Sequence, residues 1–259
     1  MIYGSMNGGK RIRPFLVGQA AKIAKAKKTQ YLRVASAIES IHSYSLIHDD
    51  LPSMDNDDFR RGKLSTHKKF NEATAILAGD ALHDFAFQIL SSRLTHNNPE
   101  RRIQLINYLA KSLGHLGLVA GQSLDLLYEN KRNNIKKIIE MYKLKTGSLF
   151  EFSFSSPFIL TNHPKEIIKF YQRYGLLFGL IFQIIDDLID ESKSFKLIGK
   201  TPGKDKKQGK NTLINLLGKN NAIKFCHEEV SAFIMNNNYF FKKYKILNDL
   251  LIYCLNRTK

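Results

Sequence analysis

The residues of this chain whose types and spacing could do chemistry form two short acidic segments. The first, from Asp49 to Asp55, reads Asp-Asp-Leu-Pro-Ser-Met-Asp, and the second, from Asp186 to Asp190, reads Asp-Asp-Leu-Ile-Asp. Each supplies only a few carboxylate oxygens. That suits Mg²⁺, because this ion keeps some waters and binds one or two carboxylates together with the phosphate oxygens of a substrate. The two segments therefore predict a magnesium site and a phosphorylated ligand.

The second acidic segment follows a long apolar run and is predicted to end a buried helix. On a helix Asp190 lies beside both Asp186 and Asp187, because residues three and four apart share a face. Like charges placed this closely disfavour one another's ionised form unless a cation neutralises them. A helix cap or a salt-bridged surface patch is the alternative, but the preceding run is too apolar for a surface helix.

A calcium loop of the EF-hand type is the competing explanation for the first acidic segment. If such a loop began at Asp55, Arg60 would stand at the position of its glycine and Thr66 at the position of its bidentate glutamate. The sequence therefore argues against this type of site. Pro52 instead predicts that the first aspartates end a helix.

Basic residues accompany both acidic segments. Arg60 and Arg61 follow the first one directly, and an arginine fork binds phosphate oxygens in pairs. Lys10 and Arg13 lie one helical turn apart behind two glycines; alone, this motif is better explained as a surface turn, and its spacing excludes a P-loop. The basic loop 199–210 could by itself be a solvated linker, but beside a metal–diphosphate site it is predicted to be a lid.

The elements that must position these residues are predicted to be helices. Apolar residues recur at helical spacing over 31–48 and 103–127, and 174–189 is apolar nearly all round, as in a buried central helix. Few segments alternate as strands do. Helix breaks are predicted near Pro52, Gly62, Asn97–Pro99, Asn133–Asn134, Asn162–Pro164 and Gly199–Gly209. We predict one all-α domain over 1–259, with about eight to ten helices.

Composition narrows the class of protein. The formal net charge of +17 indicates an anionic partner, but the basic residues spread over the whole chain instead of forming one face. The cysteines, Cys226 and Cys254, are too few for a disulfide-stapled scaffold or a zinc site built on CxxC pairs. The sequence shows no signal-peptide core and no membrane span. We expect a cytoplasmic protein.

In combination, the motifs resemble those of the trans-isoprenyl diphosphate synthases, the family of farnesyl and geranylgeranyl diphosphate synthases. The resemblance covers nearly the whole chain, and its motifs stand in this order: GGKRIRP, His42, DDLPSMD with RRG, GDAL at 79–82, KTGSLF at 145–150, FQIIDDLID and GKTPGKDKKQGK. The nearest subgroup is that of the bacterial farnesyl diphosphate synthases, which the ending Asn-Arg-Thr-Lys also resembles. The family has a further N-terminal helix before GGKR, which we therefore expect this sequence to lack.

The resemblance implies an isoprenoid-synthase helical bundle around a deep central cavity, usually in a homodimer. It implies a prenyltransferase that condenses isopentenyl diphosphate head-to-tail with dimethylallyl or geranyl diphosphate, giving farnesyl diphosphate and diphosphate. Three Mg²⁺ would be held on the allylic diphosphate, and the implied metal ligands are Asp49, Asp50, Asp55, Asp186, Asp187 and Asp190.

The resemblance also implies roles for the basic and polar residues. Contacts to the allylic diphosphate are implied for Arg60, Lys145 and Lys200. Contacts to isopentenyl diphosphate are implied for Lys10, Arg13, His42 and Arg61. Thr146 and Gln183 would turn oxygen dipoles toward the developing allylic cation, and Lys210 belongs to the closing loop. The released diphosphate can take the final proton, so His48 and His67 are interpreted as structural.

Tyr44 is the sequence feature that bears on product length. It lies five residues before Asp49, which is about 7 Å deeper along a helix. In the family, an aromatic residue here together with the inserted Pro52-Ser53 pair accompanies the fifteen-carbon product, since the ring closes the floor of the cavity. The alternative is that Tyr44 simply packs in the core.

Four other functions stay open at this point. A geranylgeranyl or geranyl diphosphate synthase would keep the chemistry and change the product. A terpene cyclase would leave the GGKRIRP segment without a role. A basic nucleic-acid-binding protein would use the net charge, but the sequence has no recognisable nucleic-acid motif. A catalytically idle partner subunit would not need both acidic segments.

Overall fold

The structure is a computed structural model that describes residues 1–192 and 210–257. Its α-helices are α1 (Ile2–Ser5), α2 (Ile12–Ala24), α3 (Lys28–Asp49), α4 (Thr66–Lys69), α5 (Glu72–Ser91), α6 (Pro99–Leu113), α7 (Leu118–Tyr128), α8 (Ile135–Tyr142), α9 (Ser148–Leu160), α10 (Lys165–Ser192), α11 (Leu213–Leu217), α12 (Lys219–Asn236), α13 (Asn238–Lys243) and α14 (Lys245–Leu255). A π-helix (Lys143–Gly147) joins α8 to α9, and a hairpin pairs β1 (Phe59–Arg60) with β2 (Lys63–Leu64).

The all-α fold predicted from the sequence is confirmed, because the hairpin is the only sheet in the described ranges. The predicted helix over 31–48 lies inside α3, and 174–189 lies inside α10. The series over 103–127 belongs to two helices, α6 and α7, with Leu116 exposed in the turn between them. None of the described helices is both long enough and apolar enough to cross a membrane.

The chain divides into two compact units. Of the described residues, unit one holds 1–108 and 155–168, and unit two holds 109–154, 169–192 and 210–257. Unit one therefore carries the first acidic segment and the GGKR segment, and unit two carries the second acidic segment. The interpretation of 1–259 as a single domain stays a prediction.

Unit one is built around the packing of α3 against α5. The buried face of α3 includes Ile38, Ile41 and Ile47 at helical spacing. Near the end of α3, His48 lies against Gly79 of α5, where an added Cβ would stand 2.1 Å from the imidazole Nε2. The missing side chain therefore lets α5 pass close to the residues that lead into the first acidic segment.

Unit two has an aromatic core along α10. Tyr174 and Phe178 are fully buried and pack against Phe154 of α9, with ring centroids 4.7 and 5.5 Å away. Burying each such ring contributes on the order of 2 kcal/mol. Gly179 of α10 approaches so closely that an added Cβ would lie 2.6 Å from the Cα of Gly147. This packing confirms the buried central helix and fixes the register of the second acidic segment at its end.

Candidate active site

The first acidic segment folds back over the end of α3. The helix ends at Asp49, and the Asp55 N–H donates to the Asp49 carbonyl at 2.8 Å. The Asp57 N–H donates to the Asp50 carbonyl at 3.1 Å. Carboxylates at the C-terminal end of a helix dipole are unfavourable on their own. This end of α3 therefore favours a cation.

Arg60 neutralises part of this acidic cluster. Its Nε lies 2.9 and 3.2 Å from the two oxygens of Asp50, and its Nη2 donates to Asp50 and, at 3.3 Å, to Asp57. Both carboxylates are buried. Burial acts to lower the pKa of Arg60, but Asp50 and Asp57 outweigh it and raise that pKa. Asp49 and Asp55 are only half-buried, which leaves them more accessible to a metal than Asp50 is.

The β-hairpin aims Arg60 and Arg61 in different directions. Arg61 and Gly62 form the turn with φ of 55° and 76°, as a tight hairpin requires. Arg61 Nη1 donates to the Gly8 carbonyl at 2.7 Å, and its guanidinium covers Gly9, where a Cβ would lie 2.4 Å from the Arg61 Cζ. Gly9 therefore has to lack a side chain where the hairpin covers it, whereas an added Cβ at Gly8 would meet nothing within 4 Å.

A basic cluster forms where α2 meets α3 in unit one. Arg13 Nη1 lies 3.4 Å from His42 Nε2, so in a neutral imidazole Nε2 accepts and Nδ1 carries the proton. Burial, followed by the charges of Arg13, Arg61 and Arg60, holds the pKa of His42 well below its usual value. Lys10 is exposed just before α2. The arrangement brings together groups that suit a multiply charged anion.

Tyr44 lies on α3 beside two histidines. Its ring centroid is 4.9 Å from that of His48 and 5.3 Å from that of His83 on α5. It packs against a buried cluster that includes Ile47 and Leu82. Burial and the nearby Asp49 raise the pKa of Tyr44, so its hydroxyl is protonated near neutral pH. These contacts fix the ring in place, and its role as a cavity floor stays a prediction.

In unit two the π-helix presents Lys145 and Thr146. Lys145 Nζ lies 2.5 Å from Oδ2 of Asp125 on α7, and Lys210 Nζ lies 3.7 Å from the same oxygen. Gly121 lets α7 approach, because a Cβ there would lie 2.1 Å from the Lys145 backbone nitrogen. Asp125 thus brings the predicted diphosphate ligand Lys145 and the predicted closing-loop residue Lys210 to one carboxylate.

A hydrogen-bonded chain leads from Thr146 into the second acidic segment. Thr146 Oγ1 donates to Gln183 Oε1 at 2.7 Å, and Gln183 Nε2 donates to Asp187 Oδ1 at 2.8 Å. The Tyr142 hydroxyl donates to Asp187 Oδ2. Burial, followed by the charge of Asp187, raises the pKa of Tyr142 well above its usual value, so this hydroxyl is a donor. The structure therefore joins both predicted cation-stabilising residues, Thr146 and Gln183, to one acidic residue.

Asp186 points to a different partner from that of Asp187. Its Oδ1 accepts from Nη2 of Arg257, whose guanidinium lies 3.6 Å over the ring of Phe182. Asp186 is partly exposed, whereas Asp187 is buried. Asp190 is half-buried one turn further along α10. Asp186 and Asp190 are therefore more open to an external metal than Asp187 is.

Some residues of the site lie outside the reach of the sequence patterns. The sequence patterns did not predict roles for Asp125, Tyr142 and Arg257. Asp125 could have been noticed as a single acid within the apolar α7, and Tyr142 as a tyrosine one turn before Lys145. Arg257 stands in the ending Asn-Arg-Thr-Lys that resembles the family, but nothing in the sequence linked it to Asp186, 71 residues away. The predicted ligand Lys200 and the rest of the predicted lid before Lys210 lie outside the described residues.

The donors suit Mg²⁺ held together with a substrate. In the part of the chain that the structure describes, no group of three or more His, Cys, Asp or Glu is arranged to hold a metal unaided. The accessible acids are hard oxygen donors in small numbers, and a Mg²⁺ site completed by water and phosphate oxygens needs no more. By donor type, Asp49 and Asp55 of unit one suit the predicted ion, and so, considered separately, does Asp186 of unit two.

Comparison with known proteins defines the class. The polyprenyl synthetase profile matches residues 1–240, and this chain belongs to that family. The farnesyl diphosphate synthase of Haemophilus influenzae is 42% identical over 228 residues, which is 86% of this chain and 76% of the relative. That of Micrococcus luteus is 46% identical over 217 residues, which is 83% and 74% of the two chains.

A solved structure agrees with both the fold and the family. The geranyltransferase from Helicobacter pylori, complexed with magnesium and isoprenyl diphosphate, matches with a TM-score of 0.87 and 33% identity. The match covers 98% of this chain and 85% of that one. The resemblance found in the sequence is confirmed.

Proposed function

We propose that this chain is a trans-prenyltransferase that condenses isopentenyl diphosphate head-to-tail with dimethylallyl or geranyl diphosphate, giving farnesyl diphosphate and diphosphate. The observation that supports this best is the identity of 42% and 46% with farnesyl diphosphate synthases over more than four fifths of the chain. The acidic segments and the basic cluster of unit one supply the groups that such a reaction needs.

The allylic substrate would be bound through its diphosphate. Asp49, Asp55 and Asp186 would hold Mg²⁺, with Asp50, Asp187 and Asp190 completing the two motifs, and three ions per site are proposed. When bound, Mg²⁺ would neutralise the diphosphate and make it a better leaving group. Lys145, Lys200, Lys210 and Arg60 would add positive charge; Arg60 would have to share its guanidinium with Asp50 or exchange one partner for the other.

The second substrate, isopentenyl diphosphate, would bind to the basic cluster. Arg13 and Arg61 are cationic forks, and Lys10 is an exposed point charge. His42 would contribute as a neutral imidazole whose Nδ1–H is free to turn to an oxygen once Nε2 accepts from Arg13. A neutral donor adds a hydrogen bond without adding another positive charge to a crowded cluster.

Positive charge develops on the allylic carbon as the diphosphate leaves. The Thr146 hydroxyl donates a hydrogen bond to Gln183, so the oxygen lone pairs of Thr146 remain to face a cation. Such fixed dipoles stabilise a developing charge without capturing it. The double bond of isopentenyl diphosphate then attacks the cation, a proton is lost to the departing diphosphate, and exclusion of water prevents formation of an alcohol.

The test is incubation of the purified protein with Mg²⁺, labelled isopentenyl diphosphate and either allylic substrate, followed by chromatography of the product. We expect a fifteen-carbon product that is lost in Asp49→Ala. In Tyr44→Ala the floor would open and longer products should accumulate, whereas Tyr44→Phe keeps the ring and should keep the length. A longer product from the unaltered protein would favour a geranylgeranyl diphosphate synthase, and absence of any product would contradict the proposal.

A homodimer and a cytoplasmic location complete the proposal. Leu77 and Phe85, two turns apart on α5, are large apolar side chains that are 67% and 44% exposed. A second copy of the chain would cover them. Light scattering should then give twice the monomer mass, and Leu77→Asp should lower it.

A further inference from the structure

The Tyr142 hydroxyl is the point in unit two where three chain segments meet. Tyr142 is the last residue of α8, and its side chain is 4% exposed. Its hydroxyl donates to Asp187 on α10 and accepts from the Leu213 backbone N–H at 3.2 Å. One buried hydroxyl thus connects the second acidic segment with the first residue of α11.

The hydrogen bonds around Asp187 fix the direction of the Gln183 amide. An ionised carboxylate only accepts hydrogen bonds, so Gln183 must turn its NH₂ group toward Asp187. The Gln183 carbonyl oxygen then faces Thr146 and accepts a hydrogen bond from the hydroxyl of that residue. The orientation of the Thr146–Gln183 pair therefore depends on where the Asp187 carboxylate is held.

The segment that enters α11 is anchored at three residues between 210 and 213. Lys210 Nζ lies 3.7 Å from Asp125, and Asn211 Nδ2 donates to the Tyr128 carbonyl at 2.5 Å. Leu213, which is fully buried, makes the third contact through Tyr142. Loss of the Tyr142 hydroxyl would leave a buried N–H without its acceptor, which destabilises this anchor.

We propose that Tyr142 is a positioning residue: its hydroxyl holds Asp187, and through it the Gln183–Thr146 pair, in register with the 210–213 segment. This proposal rests on the proposed function of the site, because the pair matters to the rate only if an allylic cation forms beside it. The effect falls on the transition state, where charge develops, and not on the binding of isopentenyl diphosphate.

The test compares Tyr142→Phe with Tyr174→Phe. The Tyr174 hydroxyl is equally buried in unit two and donates to the Leu247 carbonyl at 2.7 Å, away from the acidic segment. Tyr174→Phe loses one buried hydrogen bond and Tyr142→Phe loses two, so both variants should melt at lowered temperatures, with Tyr142→Phe at least as low as Tyr174→Phe. We expect kcat to fall about tenfold in Tyr142→Phe, with the KM for isopentenyl diphosphate within about twofold, and no comparable fall in Tyr174→Phe.

A double variant separates positioning from a general loss of packing. If Tyr142 acts through Gln183, then Tyr142→Phe should cost little further kcat in a Gln183→Ala background. If the kcat losses of the two single variants multiply in the double variant, the proposal is overturned. Equal kcat values for Tyr142→Phe and Tyr174→Phe would also overturn it. If the unaltered protein forms no prenyl product, the proposed function fails instead, and the next measurement still applies.

Hydrogen exchange tests the anchor without any activity. The Leu213 amide should exchange at least about tenfold faster in Tyr142→Phe than in the unaltered protein, because it loses its acceptor. In Tyr174→Phe this amide should keep its protection. Unchanged protection of Leu213 in Tyr142→Phe would overturn the link between Tyr142 and the 210–213 segment, whatever the enzyme assays give.

Discussion

At the scale of single residues, several carboxylates of the site are held by cations of the protein itself. Asp50 pairs with Arg60, Asp125 with Lys145, and Asp186 with Arg257. Breaking a buried ion pair by removing one partner is costly, whereas exchanging one cation for another costs much less. A metal or a substrate would therefore bind by exchange of partners at these positions.

The Arg257–Asp186 pair gives the first prediction. Arg257→Gln should bind Mn²⁺, used as a probe for Mg²⁺, about fivefold more tightly. The Arg257 side chain is buried but the Asp186 carboxylate is 41% exposed, so solvent screening holds the worth of this pair to about 1 kcal/mol. Electron paramagnetic resonance measures the free ion directly. Arg33→Gln is the matched control, because Arg33 hydrogen-bonds to Thr95 and not to a carboxylate. Equal affinities in the two variants would show that Arg257 does not compete for the metal ligand.

The lowered pKa of His42 gives the second prediction, which concerns stability and pH. In the unfolded chain the imidazole titrates near its usual pKa of about 6.5. In the folded chain burial and then Arg13 keep it neutral, so protonation favours unfolding. The stability that the neutral His42 contributes is fully present above about pH 6.5. It is lost as the pH falls below that value, by up to about 1.4 kcal/mol of unfolding free energy per pH unit.

Urea unfolding at pH 7.5 and 5.5 measures this effect. His42→Asn should lose less stability between these two values than the unaltered protein does. His67 and His163 also have pKa values lowered by burial, and they remain in both proteins, so the difference isolates His42. The same loss in both proteins would mean that the His42 imidazole is not held neutral.

At the scale of elements, the third prediction concerns the contact between α7 and the π-helix. Gly121→Ala would press a Cβ onto the Lys145 backbone, and a backbone yields less easily than the end of a side chain. We expect a loss of stability of about 2 kcal/mol and a larger relative loss of kcat, because Lys145 and Thr146 would move together.

Gly18→Ala on α2 is the control for that substitution. An added Cβ there meets nothing closer than 3.9 Å, so the variant should gain up to about 1 kcal/mol from helix propensity. Circular dichroism melts and initial rates decide the comparison. Gly121→Ala with unchanged stability and rate would mean that the π-helix is free to shift without consequence.

The sequence predicts the long helices well and the short elements poorly. Helices α3 and α10 show apolar spacing over several turns, and their buried faces agree with it, although Leu32 at the start of the predicted α3 face is exposed. The hairpin has two residues in each strand, too few to show alternation. The π-helix has the same kinds of residues as α8 before it, so nothing in the sequence indicates its different hydrogen-bond spacing.

The same contrast holds for the candidate site. Both acidic segments are visible because acids concentrate in a basic chain. The partners that orient them, Arg257 and Tyr142, are distant in sequence and of ordinary types, so only the folded chain reveals them. The roles taken from the family resemblance remain predictions until the substitutions above are made.

At the scale of the whole molecule, the net charge of +17 and the internal ion pairs, such as Asp50–Arg60 and Asp186–Arg257, together govern what the protein binds. Mg²⁺ alone must displace internal cations from a positively charged protein, and diphosphate alone finds several lysines and arginines already paired. When both are present, Mg²⁺ can take the carboxylates and the anion can take the released cations. Binding of the two should therefore be mutually favourable.

Thermal unfolding of the whole chain tests this last prediction. Mg²⁺ with inorganic diphosphate at about 100 times the dissociation constant should stabilise the protein by about 2.7 kcal/mol, raising Tm by several degrees. Either component alone should raise Tm by less than half as much, and Asp49→Asn should weaken the joint effect. If Mg²⁺ alone gave the full rise, the acids would already form a site of their own; if diphosphate with a chelator gave it, the binding would be purely to the basic residues. Either result would contradict the exchange of partners. That exchange needs Mg²⁺ to take the carboxylate of each internal ion pair and diphosphate to take its cation.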